Sequence, residues 1–238
     1  MLFACHQMAM EREAILKKQL QILQSEQSNQ SDSTFQPVPV PSASSDNVPV
    51  IWILGGPGSG KGTQCAKIVE KFGFSHFSTG DLLRAEVAAG TDKGKELSEI
   101  MKRGDLVPNQ EVLDLLQKAM KEALGKSKGF LIDGYPREKS QGVAFEKSIA
   151  PVDLIISLEC KPETMVSRIL KRAAESVEKR ADDNEATIKN RIETFIKNTD
   201  EILSQYPSQT KRVDGERDVD AIFSEVSEAI SAVVAKKS

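Results

Sequence analysis

From position 48 onward the chain alternates between short, mostly apolar segments and longer stretches in which apolar residues recur every three or four positions. The runs at 48–54, 130–132 and 154–158 predict buried strands, as does the short stretch 211–213 ending in Val213, and 74–77 predicts a weaker one. Helical spacing covers 61–72, 81–89, 93–103, 109–123, 162–172, 184–204 and 219–234. Buried strands interleaved with amphipathic helices predict an α/β fold, a doubly wound parallel sheet with helices on both faces. Ligands of such sheets bind beyond the carboxyl ends of the strands. No internal repeat is visible.

Residues 1–48 follow another pattern. Positions 8–24 place Ile15, Leu16, Leu20 and Leu23 at helical spacing among charges, and predict an amphipathic helix. The Ser-, Gln- and Pro-rich stretch that follows cannot bury enough apolar surface to fold, and reads as a disordered linker. Three roles stand for this extension: a dispensable tail, a docking helix for an unknown partner, or a targeting segment. Glu11 and Glu13 argue against the last, because transit peptides are poor in acid. The folded domain is expected over 49–238.

Composition narrows the class. The chain has 238 residues, 28% charged and 39% hydrophobic, with a formal net charge of −3. That balance supplies no electrostatic reason for a nucleic-acid or membrane partner, so any anion site must be a local basic cluster. Three cysteines without a C-x-x-C pair argue against a disulfide framework and a structural zinc. A cytoplasmic setting and a monomer are expected.

The run into position 54 feeds Gly55-Gly56-Pro57-Gly58-Ser59-Gly60-Lys61-Gly62-Thr63, close to a phosphate-binding loop. Glycines let backbone N–H groups converge on phosphate, the helix N-terminus adds unpaired donors, and Lys61 adds a cation. In the general motif the residue after the lysine is Ser or Thr; here it is Gly62, and the threonine comes one place later. A second motif, Phe130 to Arg137, ends an apolar strand in Asp133. That carboxylate would either cap the next turn or hold the water shell of Mg²⁺. Gly134 allows a tight turn, and Arg137 leaves the strand end toward the same side. In Phe77 to Arg84, Ser78 or Thr79 can cap a helix that carries Arg84. Between 171 and 191, Asp182 and Asp183 precede a helix start, and Arg172, Arg180 and Arg191 surround a polar loop. Guanidinium forks suit phosphoryl oxygens better than lysine does.

These motifs, in this order from about residue 50 to the C-terminus, resemble the nucleoside monophosphate kinases, most closely the short-lid adenylate kinases. The resemblance implies a five-stranded P-loop core with a small nucleoside-monophosphate region at about 78–107 and a lid at about 171–181. It implies that Mg·ATP and AMP react reversibly to two ADP. Gly58, Ser59, Gly60, Lys61, Gly62, Thr63 and Arg172 would hold ATP, with Arg217 touching adenine through its backbone. Thr79, Arg84, Asp105, Leu106, Val107, Gly134, Tyr135, Pro136, Arg137, Gln141, Arg180 and Arg191 would hold AMP. Lys61, Arg137, Arg172, Arg180 and Arg191 would meet the transferring phosphoryl group, with Asp133 reaching Mg²⁺ through water. Gly-Thr after the lysine is the form this family uses. UMP/CMP kinases typically carry Ala where Thr79 stands, so AMP is the expected acceptor. The alternatives are a UMP/CMP kinase and a kinase-like binding module recruited through the N-terminal helix. Lys179 replaces a family glycine, two extra residues separate Arg172 from Arg180, and Arg217 also stands where the family has glycine.

Overall fold

In the computed structural model, which describes residues 48–175 and 184–237, β1 (Val50–Gly55) lies at the middle of a five-stranded sheet. It pairs in parallel with β3 (Phe130–Asp133) on one side and β4 (Leu154–Glu159) on the other. β2 (Ser75–Ser78) flanks β3, and β5 (Thr210–Asp214) flanks β4. The order β2-β3-β1-β4-β5, all parallel, confirms the doubly wound sheet. Successive side chains of a strand point to opposite faces, which explains why the β1 run is apolar at every position. Val50, Trp52 and Leu54 enter one core; Ile51 and Ile53 enter the other.

Each core is closed by helices. On the Ile51 face lie α1 (Lys61–Phe72), through Cys65 and Ile68, and α8 (Val219–Lys237), through Ile222, Val226 and Ile230. On the Trp52 face lie α2 (Thr79–Ala88), α3 (Asp92–Arg103), α4 (Asn109–Ala123), α5 (Lys139–Ser148) and part of α7 (Glu185–Ser204). A third, smaller cluster joins Met165 and Ile169 of α6 (Pro162–Glu175) to Ile188 and Ile192 of α7. Trp52, the single tryptophan, is fully buried edge-on to Phe145 and Tyr206, so its emission reports on this core. Ile53→Ala removes three buried carbons from the central strand, where neighbours on both sides prevent collapse into the gap. Urea unfolding followed by Trp52 fluorescence should show a loss of about 2–5 kcal/mol.

Most predicted elements appear within a few residues of their expected ends. The pattern does not predict α5, because its buried side is Gln141, Gly142 and Phe145 rather than an apolar stripe. Ser78 caps α2 by accepting the Asp81 N–H at 3.3 Å, and Asn184 caps α7 by accepting the Thr187 N–H at 3.0 Å. The N-terminal helix and linker, Asp182 and Asp183, and most of the expected lid, with Lys179 and Arg180, lie outside the described residues.

Candidate active site

Sheet register brings the two main motifs side by side. Ile53 pairs with Asp133, so the glycine loop leaving β1 and the turn leaving β3 emerge from neighbouring strand ends. Chain order reverses at this place in the sheet, and a crevice opens there. Its volume is about 510 Å³, in the usual range for a small-molecule site.

The loop residues Gly58, Ser59, Gly60, Lys61, Gly62 and Thr63 all line this crevice. Gly58 has φ +80°, and a Cβ there would come within 2.5 Å of the Met165 carbonyl oxygen, so only glycine fits. Lys61 curls back onto its own loop, where Nζ donates to the Gly55 carbonyl at 2.6 Å and the Gly56 carbonyl at 3.0 Å. Burial pushes the Lys61 ammonium below its ordinary pKa. The Asp133 carboxylate opposes that shift, while Arg137 and Arg191 add to it.

Asp133, the last residue of β3, forms part of the crevice floor. Burial raises its pKa, but His76, Lys61 and Arg137 outweigh burial, and the net shift is downward. The carboxylate is therefore ionised at neutral pH. Its Oδ2 lies 3.8 Å from His76 Nε2, and its Oδ1 is buried with no hydrogen-bond partner. Cys65, His76 and Asp133 bring their potential ligand atoms within 4.8 Å of one another. That trio does not suit Mg²⁺, which demands oxygen, and burial raises the Cys65 thiol pKa well above its ordinary value. Asp133 alone offers the right donor, through the orphaned Oδ1.

Opposite the loop stand Arg84, Arg137, Arg172 and Arg191, all lining the crevice. Arg137 is anchored at both ends: Nε donates to the Gly134 carbonyl at 2.9 Å, and its N–H donates to Gln141 Oε1 at 2.8 Å. Arg84 Nη2 donates to Asp81 Oδ1 at 2.5 Å. Asp105, Leu106, Val107, Gly134 and Pro136 complete this side. The Tyr135–Pro136 bond is cis.

Thr79, Tyr135 and Gln141 line a small recess that shares Leu106, Val107, Gly134 and Arg137 with the crevice. Thr79 Oγ1 donates to the Gly134 carbonyl at 3.0 Å, which fastens the start of α2 to the turn after β3. The Tyr135 side chain is held in the core: its hydroxyl donates to the Gln141 carbonyl at 2.7 Å, with Asn109 Oδ1 at 3.0 Å. The Arg217 side chain does not line the crevice. Its guanidinium donates to Glu225 at 2.5 Å and to the Asp214 carbonyl at 3.3 Å. Sequence reading missed Arg168, Thr194 and Phe195, which also line the wall. Arg168 stands four residues before Arg172 on α6, and Thr194 and Phe195 stand three and four after Arg191 on α7. Helical spacing from the arginines already identified is the signal that would have found them.

Comparison with known proteins agrees with this geometry. The family model described as adenylate kinase matches residues 53–211. Adenylate kinase 1 of Drosophila melanogaster is 54% identical over 237 residues, covering 100% of this chain and 96% of that protein. Adenylate kinase isoenzyme 1 of Homo sapiens is 50% identical over 186 residues, covering 77% of this chain and 95% of that protein. The Bos taurus isoenzyme 1 is 52% identical over 186 residues, with the same coverage. With its parallel sheet, its glycine loop and the arginines facing that loop, the chain belongs to the adenylate kinase family.

Proposed function

We propose that the crevice transfers the terminal phosphoryl group of ATP to AMP, reversibly, with two ADP as products. The observation that carries this reading is the placing of five arginines and Lys61 around one cleft at the strand ends. A second nucleotide phosphate opposite the loop needs such a lining, and a simple ATP-hydrolysing site does not. Gly58 to Thr63 take the donor phosphates on backbone N–H groups and the α1 N-terminus. Arg84 and Arg137, with Arg191 beside Lys61, take the acceptor phosphate, and Arg172 and Arg168 flank the donor side.

In the transfer a phosphate oxygen of AMP bonds to the γ-phosphorus of ATP as the bond to the β,γ-bridging oxygen breaks. The attacking oxygen is already ionised at neutral pH, so no side chain need remove a proton. The residues act by in-line positioning and by meeting charge on the transferring group. Mg²⁺, when bound with the nucleotide, would neutralise phosphate charge, and Asp133 would hold its water shell through Oδ1.

The acceptor base falls to the crevice wall beside the recess, which at about 10 Å³ is itself too small to admit a base. Because Gln141 Oε1 is taken by the Arg137 N–H, the amide is oriented and leaves its NH₂ to meet an adenine edge. The Thr79 methyl helps shape the same wall. Among the described residues no helix is long and apolar enough to cross a membrane. A cytoplasmic setting is in keeping with Cys65 and Cys160, both unbridged.

A coupled assay with ATP as donor and AMP, UMP, CMP or GMP as acceptor tests the reading. ADP formation should be fastest with AMP and should stop on adding EDTA. Equal or faster turnover with UMP or CMP would overturn the acceptor assignment, and ATP consumption without any acceptor would overturn the transfer.

A further inference from the structure

Helix α7 runs beside the crevice, and one of its faces is polar. Thr187, Arg191, Thr194 and Asn198 follow at steps of four, three and four residues, so they share that face. Arg191 and Thr194 line the crevice. Around them, other side chains of the same helix grip backbone carbonyls of two separate segments. Thr187 Oγ1 donates to the Lys102 carbonyl at 2.6 Å, and Asn190 Nδ2 donates to the Arg103 carbonyl at 2.9 Å. Asn190 Nδ2 also lies 3.4 Å from Asp105 Oδ1. Further along, Asn198 Nδ2 donates to the Arg137 carbonyl at 2.9 Å.

Each target sits where it matters. Lys102 and Arg103 end α3, and the last carbonyls of a helix have no partner within it. Directly after them come Gly104, Asp105, Leu106 and Val107, which line the crevice. Gly104 closes α3 at φ +76°, and a Cβ there would lie 3.0 Å from Thr187 Cγ2 and 3.1 Å from Arg191 Cγ. The joint is therefore close-packed against the stem of Arg191. The Asn198 bond ends on Arg137 itself.

We propose that Thr187, Asn190 and Asn198 are positioning residues for the acceptor nucleotide. Through them α7 fixes the 104–107 loop and Arg137 in register with its own Arg191, so that three pieces of the chain present one preformed acceptor site. This rests on the reading of Arg137, Arg191 and the 104–107 loop as the AMP side. None of the three residues need touch a nucleotide to act.

The test uses the full chain and the variants Asn190→Ala, Asn198→Ala, Thr187→Val and Thr187→Ser. Each is assayed for kcat and for KM toward AMP and ATP separately, with melting temperature alongside. Loss of one hydrogen bond at the joint should raise KM for AMP about 3- to 10-fold. KM for ATP should stay within about twofold, and Thr187→Ser, which keeps the hydroxyl, should restore the wild-type value. Asn190 is half-buried and belongs to no apolar cluster, so its variant reads the effect apart from core packing. The Asn190 and Asn198 effects should multiply, because they hold different segments. Melting temperatures that fall while both KM values stay put would overturn the proposal in favour of a purely structural joint. So would equal rises in both KM values. Wild-type protein that cannot use AMP would instead sink the acceptor-site reading itself, before any variant is compared.

Discussion

Lys61→Ala is expected to lower kcat for ADP formation by about 10²- to 10³-fold, the usual effect of deleting one preorganised group that meets transition-state charge. KM for ATP should change far less, since the backbone N–H groups of the loop still hold the donor phosphates. Lys61 is suited to this part because its ammonium is already desolvated and already bonded to oxygen. In this structure the oxygens are the Gly55 and Gly56 carbonyls, at 2.6 and 3.0 Å. Exchanging those neutral partners for phosphate oxygens costs little further dehydration of the half-buried cation. Stability gives a second readout with the opposite sign. Burial, the largest influence, disfavours the charged form of Lys61 in the folded state, and Arg137 and Arg191 act the same way. A lowered pKa makes Lys61 a cost to folding at any pH below its ordinary value, neutral pH included. The alanine variant should melt at the same temperature as the wild type or higher. Wild-type turnover in a well-folded Lys61→Ala protein would remove the lysine from the mechanism.

That pairing of an inactive site with an undiminished fold reflects how separately the two are written in the chain. The sheet was legible because β1 and β4 are buried on both faces and so read as nearly continuous apolar runs. β2 was faint because all four of its residues are only half-buried at the sheet edge. Helix α5 was invisible to periodicity for a related reason: its buried contacts are made by an amide, a glycine and one phenylalanine. Gln141 and Gly142 are buried there because the amide orients Arg137 and because Gly142 lies against Tyr206. In the site, motifs located the residues at strand ends, where backbone geometry alone fixes position. They could not locate Arg168, whose place depends on how α6 lies against the loop. Arg217, expected to meet adenine only through its backbone, turns its side chain to Glu225. The carbonyl-gripping residues of α7 carry no motif at all, since any donor of suitable length at that helix face would serve.

Arg137 shows why geometry as well as charge is expected to count, and its substitution should rival that of Lys61. Its anchors include its Nε on the Gly134 carbonyl, its N–H on Gln141, and its own carbonyl under Asn198. The guanidinium is thus held in the crevice wall before substrate arrives, close to Lys61 and Asp133. Arginines that meet charge in phosphoryl transfer contribute about 10³-fold or more to turnover, so Arg137→Ala should lower kcat/KM for AMP by about that factor. Arg137→Lys separates charge from shape. Lysine restores a cation but has neither the Nε donor that bonds Gly134 nor a planar fork for two phosphate oxygens. It should recover only about a tenth of the lost efficiency, by the rule that each factor of ten is about 1.4 kcal/mol and one charged hydrogen bond is worth somewhat more. A lysine variant with full activity would show that charge alone suffices there. An alanine variant with unchanged kinetics toward AMP would move the acceptor phosphate away from Arg137, leaving Arg84 and Arg191 as its remaining partners on that wall.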